Sequence, residues 1–175
     1  MALADELESV SSGGNLIVST SMENYEKLWT DTVGFFDKRG DSGTILSINK
    51  SYIALGKLLE SKKIDCKRLS FIDCISSNEE KREGNCIYLE RPFNPTYVSI
   101  VMEPPIKDEK TKFFIFDSLS SFMMYQPLTI VKFFHFTLSQ LAANNKIGLI
   151  FDVDIDTTNA SVKSISQACD RLVKL

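Results

Sequence analysis

Short apolar runs alternate along this chain with longer segments whose apolar residues recur every three or four positions. Asn15 to Ser19 (NLIVS), preceded by Gly13 and Gly14, reads as a strand buried on both faces. Tyr25, Leu28, Trp29, Thr32, Val33 and Phe36 then mark one face of a helix that opens near Glu23 and Glu26 and stops before Gly40. Thr44 to Ile48 predicts a second strand, Ser51 to Ser61 a second helix and Leu69 to Ile75 a third strand. The polar, turn-rich stretch Ser76 to Asn85 reads as a solvated loop, and Cys86 to Leu89 as a short strand. Asn94-Pro95 supplies an N-cap with proline in the first helical position, and Pro104-Pro105 is expected to end that helix. A charged connection, Lys107 to Lys112, leads into Phe113 to Asp117, an almost wholly apolar strand that ends in a carboxylate. Thr129 to Asn144 predicts a long helix, Ile147 to Val153 a strand, Val162 to Cys169 a helix and Leu172 to Leu175 a closing strand.

Alternation of strand and helix implies an α/β fold, a three-layer α-β-α sandwich whose mainly parallel sheet is joined by right-handed crossovers. A length of 175 residues suits one domain, placed at 15–175, with residues 1–14 as a flexible segment or a short helix. Neither repeats nor linkers interrupt it. At 43% hydrophobic and 25% charged residues the composition is that of an ordinary globular protein. The net charge of -3 supplies no basic field for a phosphate backbone, so nucleic acid is not an expected partner. Four cysteines, Cys66, Cys74, Cys86 and Cys169, lie at irregular spacings and fit neither a zinc site nor a secreted disulfide framework. With His135 as the single histidine, no metal site is expected. The first fourteen residues lack the basic and apolar regions of a signal peptide, and no apolar run is long enough to span a bilayer. A cytoplasmic protein with reduced thiols and no membrane contact is the expectation.

Phe113-Phe114-Ile115-Phe116-Asp117-Ser118-Leu119-Ser120 resembles the Walker B strand of RecA-like ATPases, and its Asp-Ser-Leu-Ser ending is most similar to the KaiC-like branch. The order of elements and the ending Cys169-Asp170-Arg171-Leu172-Val173-Lys174-Leu175 extend the resemblance from Asn15 to Leu175. It implies a RecA-like fold and places Asp117 at the carboxyl edge of the sheet, where it would help to hold magnesium. The resemblance also implies a phosphate loop, G-x-x-x-x-G-K-[ST], after the first strand, where glycines let backbone N–H groups close on phosphate. Ser19-Thr20-Ser21-Met22-Glu23-Asn24-Tyr25-Glu26-Lys27 stands there instead, with no glycine, two glutamates, and Leu28 in place of the magnesium-binding hydroxyl. Gly56-Lys57 lies inside the second helix and does not restore the motif. Asn49-Lys50 occupies the place of the glutamate that polarises water after the second strand. With two parts of the phosphoryl-transfer apparatus missing, hydrolysis of ATP is not expected.

Other residues carry weaker signals. Ser19, Thr20 and Ser21, at a strand-to-helix turn, are similar to the hydroxyl-rich loop with which flavodoxin-like proteins hold FMN, although Met22, Glu23 and Tyr25 interrupt it and an ordinary helix cap fits better. Asp152, Asp154 and Asp156 form D-x-D-x-D without the glycine and final glutamate of a calcium loop, and read as acids at a strand end. His135 sits in an apolar helix as a structural residue. Phe122, Met123, Met124 and Tyr125, followed by Pro127, are expected in a loop or short turn, either folded into the core or exposed as an interface. The reading is a non-catalytic domain without cofactor, serving as a regulatory or protein-interaction module with a protein partner or a second copy. One alternative is a domain that holds a nucleotide at Ser19, Thr20, Ser21 and Asp117 without hydrolysing it, and another is an FMN-binding protein.

Overall fold

The structure, a computed structural model, describes residues 2–91 and 93–175. In chain order the elements are α1 Leu3–Ser9, β1 Gly14–Thr20, α2 Tyr25–Arg39, β2 Ser42–Ser47, α3 Tyr52–Ser61, β3 Leu69–Ser77, β4 Lys81–Glu83 and β5 Cys86–Glu90. They continue with α4 Pro95–Lys107, β6 Thr111–Asp117, α5 Leu119–Met123, α6 Pro127–Ala143, β7 Ile147–Val153, α7 Ala160–Ser166 and β8 Arg171–Lys174. The strands form one sheet in the order β4-β5-β3-β2-β6-β7-β1-β8, parallel throughout except for the β4–β5 pair.

The long apolar runs become the middle of this sheet because helices cover both of its faces, so neither face of a central strand meets water. Every residue of β1 is buried, as is every residue of β6 except Lys112. Alternate residues feed two separate cores. Phe114 and Phe116 of β6 join Ile17, Leu46 and Ile150 beneath α4, α5, α6 and α7. Phe113 and Ile115 join Leu16, Val18, Ile45 and Leu149 beneath α1, α2 and α3. The two cores are the two interlayer spaces of an α-β-α sandwich.

Local chemistry ends the helices where the sequence pattern does. Gly40 closes α2 at φ 74, a conformation that costs glycine nothing. Asn94 accepts from the N–H groups of Thr96 and Tyr97 and so caps α4, Ser51 caps α3 through Ala54 N–H, and Asn159 caps α7.

Three expectations change in the structure. The stretch Ser76–Asn85 is not only loop: Lys81–Glu83 forms β4, turned into β5 through Gly84-Asn85, with Gly84 at φ 56. All three β4 side chains are exposed, so the strand carries no apolar alternation. Pro104 and Pro105 lie inside α4. They fall in its last turn, where the buried Ile106 and the bond from Asp108 N–H to the Pro104 carbonyl hold the backbone helical. Residues 119–123 form α5 rather than a turn. Of the two forms expected for the N-terminal segment, residues 3–9 take the short helix, with Leu7 buried against α2.

Candidate functional site

Strands β1 and β6 flank β7, and their outgoing helices leave to opposite faces, α2 on one side and α5 and α6 on the other. The carboxyl edge above β7 is therefore the crevice in which doubly wound sheets hold ligands. A row of polar residues ends the strands there: Asp73, Ser47 and Asp117 lie side by side in register, and Ser19 lies beside Asp152.

Each member of this row is engaged by the chain itself. Asp73, 1% exposed, accepts from Tyr52 N–H at the start of α3 (2.8 Å) and from Ile75 and Ser76 N–H (both 2.9 Å). Ser47 Oγ is bonded to the Lys50 backbone. Ser19 Oγ accepts from Ile155 N–H at 3.1 Å, and Thr20 Oγ1 donates to the Leu175 carbonyl at 3.4 Å. Asp152 accepts from Ser120 N–H at 3.0 Å. Ser21 precedes a single 3-10 turn, Met22–Asn24, and its hydroxyl accepts from the Asn24 side chain at 3.2 Å.

Asp117 is the centre of the row and is fully buried. The hydroxyl of Tyr25, from the first turn of α2, donates to its Oδ1, and Asn49 Nδ2 reaches the same oxygen at 3.5 Å. Its Oδ2 has no partner among the described residues. Burial, with the neighbouring charge of Asp152 second, pushes the Asp117 carboxyl up to about 8. The peptide bond that follows it, Asp117-Ser118, is cis. Burial also raises Asp152, against bonds from Ser120 and the Val153 backbone that lower it. Tyr25 thus engages one of the two oxygens that a hard divalent cation would take, and the other is buried without a partner among the described residues.

The structure thus brings Ser19, Thr20 and Asp117 to one sheet edge, but with their polar atoms turned to the protein. In the sequence Tyr25 reads as an apolar position of α2 and as an interruption of the hydroxyl-rich loop, and neither reading carries the contact of its phenol with Asp117. Asp152, Asp154 and Asp156 separate: the first is buried, the other two exposed, and Asp156 Oδ1 takes Thr158 N–H at 2.9 Å. Among the described residues no three His, Cys, Asp or Glu side chains group as a metal site. His135 Nε2 lies 3.1 Å from Ser164 Oγ, between α6 and α7.

The aromatic and methionine run divides as well. Phe122 is fully buried beneath α6 and is core, which corrects its place in a candidate interface: the helical turn of α5 points it inward. Met123 packs partly against the same core. Met124 is 86% exposed and Tyr125 36%, the latter with its ring 5.5 Å from Phe93. Both line an open cleft of about 1160 Å³ between the end of β5, the start of α4 and the start of α6. No helix among the described residues is long and apolar enough to cross a membrane.

No family model matches this sequence and no curated protein is similar to it at a significant level. Solved structures do match. The uncharacterised protein PH0321 from Pyrococcus horikoshii, in complex with an unknown peptide, is 12% identical with a TM-score of 0.71 over 97% of this chain and 82% of that one. The KaiC-like protein PH0186 from the same organism is 12% identical with a TM-score of 0.66, over 94% of this chain and 71% of that one. This chain has the RecA/KaiC-like α/β fold.

Proposed function

We propose that this KaiC-like fold is a non-catalytic one and serves as a regulatory or protein-interaction module. The observation that carries the reading is the Tyr25–Asp117 contact: the carboxyl of the Walker B-like strand is buried and faces a phenol, and the connection before Tyr25 has no glycine to receive a phosphate. Hydroxyls that would serve a nucleotide or FMN, those of Ser19 and Thr20, are bonded to the chain instead. A role in interaction draws support from PH0321, of similar fold, which is in complex with a peptide. Isothermal titration of the full chain with magnesium and ATP is expected to give no binding heat. Binding or turnover that is lost in Asp117→Asn would overturn the reading, and yellow protein with flavin absorbance would replace it with the FMN alternative.

A further inference from the structure

The cleft beside α4 and α6 has an apolar floor, a polar main-chain wall and an acidic rim, and these three features select one kind of occupant. Its floor is the buried ring of Phe93, with Tyr125 against it and Met124 standing 86% exposed at the mouth. An exposed methionine beside a half-exposed tyrosine at a concave site is the composition of an anchor pocket rather than of an ordinary surface. Its wall includes the first turn of α6, where Gln126 gives no side-chain cap and Pro127 opens the helix. The backbone N–H of Thr129, a lining residue in that first turn, is therefore a donor for an incoming carbonyl. Its rim carries Glu80, which accepts from the Tyr97 hydroxyl, and Glu90, and neither forms an ion pair among the described residues. Of the lining residues Arg91 is the cation, and it is turned to Asn78 Oδ1 at 2.9 Å.

From these features we propose that the cleft is a docking site for a peptide segment that places an apolar side chain on Phe93 and Tyr125 and presents Lys or Arg to Glu80 and Glu90. The inference rests on reading this domain as an interaction module and adds where the partner sits and what chemistry it carries. A volume of about 1160 Å³ takes a segment of several residues. A main-chain carbonyl of that segment meets the Thr129 amide, which distinguishes a peptide from a purely apolar ligand. Charge complementarity at the rim sets its sign and speeds encounter.

Selection of a random nonapeptide library on the full chain tests this. Enriched peptides are expected to combine aromatic or aliphatic residues with at least two Lys or Arg. One enriched peptide, synthesised, should bind about three- to tenfold more weakly to Glu90→Lys and to Met124→Glu, both of which alter exposed side chains and leave the far-ultraviolet spectrum unchanged. Raised salt should weaken the unaltered complex and have less effect on the Glu90→Lys one. No enrichment, enrichment of acidic peptides, or self-association of the chain abolished by Met124→Glu would each overturn the proposal. Enriched peptides whose affinity ignores both variants would place docking elsewhere, sinking this site while leaving the interaction-module reading intact.

Discussion

Asp117 is buried with one hydrogen bond from Tyr25 and one oxygen without a partner among the described residues, so its protonation is coupled to folding. Its carboxyl titrates at about 8 in the fold and near 4 in an unfolded chain, so the folded protein binds the extra proton between those values. The stability this gives is whole below pH ~4 and is lost as pH rises towards ~8. Urea midpoints of the unaltered chain should therefore fall over that range, beyond what other groups contribute. Asp117→Asn should flatten the fall and gain about 1–3 kcal/mol over the unaltered chain at pH ~8, with little gain at pH ~4. Parallel pH profiles for the two proteins would show that burial does not govern this carboxyl. Asp117 itself was legible in the sequence, as the acid that ends an apolar strand. Its cover was not, because Tyr25 lies 92 residues away and reads as one more apolar position of its helix until α2 is laid across the sheet.

Close packing between elements is clear where β2 lies beside β6. Gly43 stands in register with Phe113, whose ring lies over it and stacks on Phe36 of α2 with centroids 4.0 Å apart and planes 11° from parallel. A Cβ added at Gly43 would come within 2.2 to 2.5 Å of that ring, which is held from behind by the stack. Backbone preference alone favours alanine over glycine in a strand. The ring contact outweighs it, and Gly43→Ala is expected to destabilise by about 1–3 kcal/mol, read as a lower urea midpoint at unchanged slope. A midpoint equal to or above that of the unaltered protein would mean that Phe113 has room to move. At this scale the long elements were legible, since β1, α2, β6, α6 and β7 carry enough apolar residues to fix their period. The short ones were not. β4 is held by its bonds to β5 rather than by burial, and α5 exists because Leu119 and Phe122 are pulled into the core beneath α6.

The molecule as a whole has two cores, one on each side of a single sheet, and each contains a fully buried thiol. Cys74 lies with α4 and α6, and Cys86 lies on the opposite face with α2 and α3. Burial raises both thiols, Cys86 up to about 12, so neither reacts at ordinary pH without opening. If the sheet opens as one cooperative unit, iodoacetamide labelling of Cys74 and of Cys86 should rise with urea along the same slope, while the partly exposed Cys66 labels first. A shallower slope for Cys86 would show that the β4–β5 edge opens alone and that the two cores are not thermodynamically joined.

By itself the sequence determined the α/β class, the parallel order of its apolar strands and the absence of a glycine phosphate loop, because period, burial and the flexibility of glycine are local properties. The strand order then brought the strand ends together. Tertiary structure alone decided what became of that sheet edge: hydroxyls and carboxyls that could have faced a ligand are bonded to the chain, and Tyr25 covers Asp117. It also divided Phe122 from Met124 and Tyr125, since a helical turn sends neighbours in sequence to opposite sides. Which side meets the core depends on α6, and no local pattern carries that choice.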